Sequence, residues 1–230
     1  MDLEDLRLAV YEGCRRGRVP RIADLATELL ATREQVRSGL LTLGAARHLA
    51  LGSDGEITMA HPFTAVPLGF SVMGQDTLWW AGVRGIRLRC RTCCRTRVRC
   101  WWQRRARRAT GPMPGVSTTE SRRLAARSLL VPAARMWDDV VYTCGNQRIF
   151  CSEACVAIWL NESGHQRGSV LDLRTLWRLA AGWYVGRLER GYVRREPSAA
   201  ADYLRSVGLS GTFWGLTSEM IDGGLPWVFR

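Results

Sequence analysis

The chain contains no lysine: all 33 of its basic residues are arginine, a bias that points to a GC-rich genome rather than to any chemistry. It also lacks an apolar run long enough to cross a bilayer. Its first residues, Met1-Asp2-Leu3-Glu4-Asp5, are acidic and unlike a secretion signal. A soluble, cytoplasmic protein with no membrane partner is therefore expected. In that compartment eight cysteines read as free thiols or soft-metal ligands rather than disulfides. A further scarcity is local. Between Gly82 and Arg127 one acid, Glu120, stands against 14 arginines, whereas the rest of the chain holds 19 arginines and 20 acids. The net charge of +12 thus describes one Arg-, Cys- and Trp-rich segment in an otherwise near-neutral protein, and any argument for nucleic-acid binding from charge rests on that segment alone.

With 230 residues, 47% of them hydrophobic, and ten tryptophans, the chain can bury a sizeable core in one large domain or a small and a medium one. Residues 1–60 read as a helix-turn-helix with a wing. Leu3, Leu6, Ala9 and Val10 recur at helical spacing, a second helix runs from Ile22 to Leu30, and Thr32 caps a third with Val36, Leu40, Leu41 and Leu43 on its buried face. The turn Gly52-Ser53-Asp54-Gly55 joins two short strands. Such a unit either binds DNA or is structural. The third helix carries Arg33 and Arg37 offset by Glu34, which favours the structural role.

From His61 the pattern is strand, Gly74-Gln75-Asp76 turn, then strand through Leu78-Trp79-Trp80. After the basic segment, Leu129-Leu130-Val131 and Val140-Val141-Tyr142 read as strands, with Met136-Trp137-Asp138-Asp139 as an acidic cap region. Ser152-Glu153 opens a helix through Val156, Ile158, Trp159 and Leu160. A long amphipathic helix follows, with Leu173, Leu176, Trp177, Ala180, Trp183, Tyr184 and Leu188 as its apolar stripe. Pro197 starts a last helix, which ends before Gly208 and Gly211.

Two blocks resemble the alkylmercury (organomercurial) lyase family. The first is His61-Pro62-Phe63-Thr64-Ala65-Val66-Pro67 followed by Trp79-Trp80-Ala81. The second runs through Val131-Pro132-Ala133, Trp137-Asp138-Asp139, Thr143-Cys144, Phe150, Ser152-Glu153 and Trp159 into Trp183-Tyr184, Arg187-Leu188 and Gly208-Leu209-Ser210-Gly211-Thr212-Phe213-Trp214. The resemblance implies an α+β fold: an N-terminal winged-helix (helix-turn-helix) domain over 1–60, then a mixed sheet and helix organomercurial-lyase-like domain over 61–230. It implies protonolysis of the carbon–mercury bond of R–Hg⁺ to a hydrocarbon and Hg²⁺, for mercury detoxification, with no added cofactor. Mercury is a soft cation, so thiolates hold it. Paired thiolates make the bound carbon basic, and a carboxyl group delivers the proton. Such thiols need a lowered pKa and partial exposure. The family uses two cysteines and an aspartate. Cys144 matches the second cysteine and is the candidate catalytic and mercury-binding residue, its alternative being a buried structural thiol. Asp138 and Asp139 match a family motif but not its catalytic aspartate, and are assigned to capping or packing. The implied partner is a small organomercurial, with no nucleic acid.

The other cysteine and the aspartate belong in a Cys-x-x-Asp motif directly after Trp-Trp-Ala, where this chain has Gly82-Val83-Arg84-Gly85-Ile86-Arg87. Without that half of the site, weak turnover or none is expected. One encoding of these six residues, GGT GTG CGT GGG ATT CGC, reads from its third base as Cys-Ala-Trp-Asp-Ser. Residues 82–127 are on this reading a frameshifted translation of the catalytic loop. Taken at face value instead, Cys90, Cys93, Cys94 and Cys100 supply metal ligands while Arg97, Arg99 and Trp101 meet nucleic acid, which makes a metal-responsive winged-helix DNA-binding regulator. Adjacent Cys93 and Cys94 fit one ion poorly, and no second CxxC pair completes a tetrahedral site. A third reading is a solvated, disordered loop in an inactive lyase relative. Reading the gene decides the first: the displaced frame is expected to encode Cys-x-x-Asp after Trp-Trp-Ala, and a gene without it ends the frameshift reading.

Overall fold

In a computed structural model of the chain, Asp2 caps the first helix, α1 (Leu3–Arg15), its carboxylate accepting from the Glu4 amide at 3.2 Å. Glu4 and Asp5 in the first turn and Arg15 in the last complement the helix dipole. The structure describes residues 1–68, 71–73, 77–80, 126–150 and 153–216. They fall into two compact units: the first takes the described residues up to 80 together with 184–193, and the second takes 126–183 and 194–216.

In the first unit, α2 (Ile22–Glu28) and α3 (Arg33–Ala45) follow α1. Thr32 caps α3 as the sequence indicates, in a reciprocal pair: its hydroxyl accepts from Gln35 N at 3.1 Å and the Gln35 side chain accepts from Thr32 N at 2.9 Å. Val36, Leu40 and Leu43 are buried, but Leu41 is 58% exposed. Successive helical residues diverge by about 100°, so Leu40 and Leu41 cannot share one face. The expected hairpin follows as β1 (Ala50–Leu51) and β2 (Ile57–Ala60), and β3 (Phe63–Thr64) pairs antiparallel with β2. A second antiparallel pair, β4 (Ser71–Met73) and β5 (Leu78–Trp80), sets Ser71 opposite Trp80. Its expected turn residues, 74–76, lie outside the described residues. The core gathers Leu6, Val10, Leu25, Val36 and Leu40 around Trp79, whose indole N–H donates to Arg15 O at 2.9 Å.

Residues 184–193 return to this unit without forming helix or strand. Two buried guanidinium groups hold them. Arg7 donates to the carbonyls of Arg187 and Glu189, each at 2.6 Å, and pairs with both carboxylate oxygens of Glu4 at 2.7 Å. Glu4 also accepts from Gly191 N at 2.7 Å.

In the second unit β6 (Ala126–Leu129) lies between β7 (Arg148–Phe150) and β8 (Ser169–Leu171), both antiparallel to it. Residues 140–142, expected as a strand, are helical: they open α4 (Val140–Gly145), where the Asp139 carboxylate accepts from Tyr142 N at 2.7 Å. A local cap overrides the strand preference of the β-branched pair Val140-Val141. Helix α5 (Glu153–Ser163) buries Val156 and Leu160 as read, but Ile158 is 59% exposed. Helix α6 (Leu173–Trp183) stops one turn before the expected Leu188. The hydroxyl of Tyr203 accepts from Gly182 N at 2.9 Å and sits within 2.8 Å of the Arg178 and Leu179 carbonyls, filling the helix end. A side chain at Gly182 would meet the Tyr203 hydroxyl at 2.5 Å and its ring at 2.6 Å, so only glycine admits the phenol. Pro197 opens α7 (Pro197–Ser206). Leu129, Leu171, Leu204, Leu209 and Trp214 form the core of this unit. Among the described residues no helix is long and apolar enough to cross a membrane.

Glu4 supplies a pH test. The Arg7 side chain, then the Gly191 amide, hold its carboxyl down from 4.5 to about 2. A depressed carboxyl stabilises the fold fully above its unfolded value and loses that contribution as pH falls toward 2. Glu4→Gln is expected to cost about 2 kcal/mol at pH 7 and almost nothing at pH 2. Urea midpoints across this range check it, and a pH-independent difference refutes it.

Candidate functional site

Cys144 lies at the end of α4, a helix positioned by its Asp139 cap. Thr143 N donates to Asp139 O at 2.9 Å, and Gln147 N reaches back to Cys144 O at 3.3 Å. The thiol is 2% exposed. Partial exposure is what a mercury-binding thiol needs before it reacts, and the fold withholds it here. Among the described residues no three His, Cys, Asp or Glu side chains converge to hold a metal ion. Asp139 acts as the cap expected of it, and Asp138 pairs with Arg135.

Cys90, Cys93, Cys94, Cys100 and Cys151 lie outside the described residues, as does almost all of the basic segment 82–127. The ligand set of the regulator reading and the displaced Cys-x-x-Asp are therefore not on view.

Several of the motif residues that carry the resemblance do packing work. The ring of His61 stacks on Tyr184 with centroids 5.5 Å apart, and its Nδ1 lies 3.0 Å from the Tyr184 hydroxyl. Arg187 donates to His61 O at 2.7 Å and to the Tyr192 hydroxyl at 3.2 Å. The indole N–H of Trp214 donates to Ser169 Oγ at 3.1 Å. These contacts join residues more than 40 positions apart, except the local Arg187–Tyr192 pair. They touch no nucleophile.

A cavity of about 850 Å³ was not anticipated from sequence. It lies in the first unit, walled by Val19, Ile57, Phe63 and Trp79, with Cys14 against it. Nothing in the spacing of Cys14 marks it out: it is one apolar position among several on the inner face of α1. Its acids are already engaged, Asp24 with Arg18 at 2.9 Å and Glu56 with Ile22 N at 3.0 Å. Burial pushes the Cys14 thiol up to about 12.

Residues 99–185 match the family model described as alkylmercury lyase, MerB. Over that segment the chain is similar to the alkylmercury lyases. The match includes Cys144 and begins within the basic segment; the His61–Ala81 block lies before it. Eight chains of solved structures match in fold. One is the crystal structure of the mercury-bound form of MerB2, which is 12% identical with a TM-score of 0.53, covering 78% of this chain and 88% of that one. No curated protein matches the chain by sequence. The α+β arrangement of helices and small sheets agrees with that fold.

Cys14 is expected to differ from an ordinary thiol in a measurable way. With its pKa near 12, Cys14 stays a neutral thiol at pH 8, and its alkylation by iodoacetamide is expected to run about a thousandfold slower folded than unfolded. Peptide mapping by mass spectrometry reads this. Equal labelling in both states contradicts the burial.

Proposed function

We propose that this protein is an organomercurial lyase homologue that binds R–Hg⁺ through Cys144 and cleaves the carbon–mercury bond weakly or not at all. The observation that carries the reading is that the alkylmercury lyase match runs through Cys144. Soft sulfur outcompetes oxygen and nitrogen for mercury, so one placed thiolate suffices to bind. Protonolysis asks for more: a second thiolate to enrich the carbon and an acid to protonate it. The sequence offers neither after Trp80, where Gly82–Arg87 replace Cys-x-x-Asp. We further read residues 1–60 as a winged-helix-like scaffold and 61–230 as the lyase-like part, acting in the cytoplasm without nucleic acid. Arg37 pairs with Glu34 at 3.4 Å on the exposed side of α3, which supports a scaffold over a phosphate-binding face. The displaced-frame account of 82–127 is kept as a proposal, and the start of the family match at residue 99 favours a shorter displaced stretch.

Phenylmercury in the presence of excess glutathione tests the reading. A one-to-one adduct is expected on Cys144 by peptide mapping and is expected to vanish in Cys144→Ala, with only a slow trickle of benzene from the wild type. An adduct that survives Cys144→Ala overturns the assignment. Multiple-turnover benzene release at the pace of a competent lyase overturns the impairment.

A further inference from the structure

Residues 184–193 belong to the first unit without helix or strand of their own, so side chains hold them there. One of those side chains titrates in mild acid. His61 lies between β2 and β3 and is 8% exposed. Its ring stacks on Tyr184 with 22° between the planes, and its Nδ1 lies 3.0 Å from the Tyr184 hydroxyl. Its carbonyl accepts from Arg187 at 2.7 Å and from the Tyr11 hydroxyl at 3.2 Å. The Arg187 guanidinium also lies 5.4 Å from the centroid of that same Tyr184 ring. A fixed buried cation and a buried imidazole therefore share one tyrosine. Around them, α1 contributes Arg7 and Tyr11, with Arg7 lying 5.6 Å from the Tyr192 ring. The Glu4 carboxylate is committed to Arg7 and to Gly191 N. His48, between α3 and β1, meets Tyr192 edge-on at 6.1 Å.

We propose that His61 is a pH-sensitive latch: while neutral it holds residues 184–193 on the first unit, and its protonation releases them. A histidine in water takes up its proton at about pH 6.5. Burial opposes the imidazolium, and a like charge close by opposes it further. A tyrosine face attracts a cation, but this one already serves Arg187. The neutral ring meets none of these costs. A group that the fold keeps neutral in this way contributes stability above its unfolded pKa and loses it as pH falls. Glu4, held down at about 2, keeps its charge across that range and does not drive the change. The released stretch leads at both ends into the second unit, which holds residues 126–183 and 194–216. The latch operates whether or not Cys144 binds mercury.

Hydrogen exchange on the full chain, corrected for the intrinsic effect of pH, tests the latch. Between pH 7.5 and 5.5 the peptide over 184–193 is expected to lose protection by about tenfold or more, while α1 keeps its protection. His61→Phe retains a stacking ring and takes no proton, so its protection is expected to stay flat with pH. His48→Gln is expected to respond as the wild type does. No change in the wild type, an equal loss in α1, or a response that survives His61→Phe or vanishes in His48→Gln overturns the latch. The wild type alone also judges it by NMR. The ring resonances of His61 are expected to titrate at the pH where 184–193 opens, and titration at a different pH overturns it, even if His61→Phe fails to fold.

Discussion

Two guanidinium groups in the first unit have almost no contact with water, and the return of residues 184–193 to that unit depends on them. Burying a cation is costly unless its charge and its N–H groups are all answered. Arg7 is answered by one carboxylate and two carbonyls, those of Arg187 and Glu189. Arg187 takes the carbonyl of His61 and the Tyr192 hydroxyl, and lies 5.4 Å from the ring centroids of both Tyr184 and Tyr192, while its Nε has no hydrogen-bond partner among the described residues. Aromatic faces are weakly hydrated partners for a guanidinium. A segment with no helix or strand of its own must send its carbonyls somewhere. Here Arg7 receives two of them, so the N-terminal helix and a stretch some 180 positions later form one packed body.

This explains which parts of the fold were legible from sequence. Local devices were. The Thr32 cap, the Gly52–Gly55 turn, the Asp139 cap and Pro197 at a helix start all act within four residues, and each is where the pattern put it. Most errors arose where a distant group decided, and one where an adjacent cap did. Tyr203 ends α6 at Trp183 from 20 positions away, and the apolar stripe alone continues smoothly to Leu188. Strands β7 and β8 are three residues each and gain definition only by flanking β6. Val140-Val141 has strand chemistry in isolation, yet one carboxylate commits it to a helix.

The candidate site divides along the same line. Cys144 was found through a motif, and the geometry adds what the motif cannot carry: a buried thiol on a short capped helix. Cys14 is the converse case, a thiol beside a cavity and silenced by its burial.

Binding and cleavage of an organomercurial draw on different parts of such a site, and the difference bears on what this chain retains. Holding R–Hg⁺ is a ground-state task that a single thiolate performs through the strength of the sulfur–mercury bond. Cleaving it is a transition-state task, needing electron density on carbon and a proton donor aimed at it. Loss of the second thiolate and the carboxyl group therefore lowers the rate far more than the affinity. A chain so altered becomes a sequestering protein, with release of the metal rather than chemistry setting its pace. On the proposed reading of Cys144, its burial acts in the same direction, since a buried sulfur exchanges its ligand only as fast as the fold around it opens.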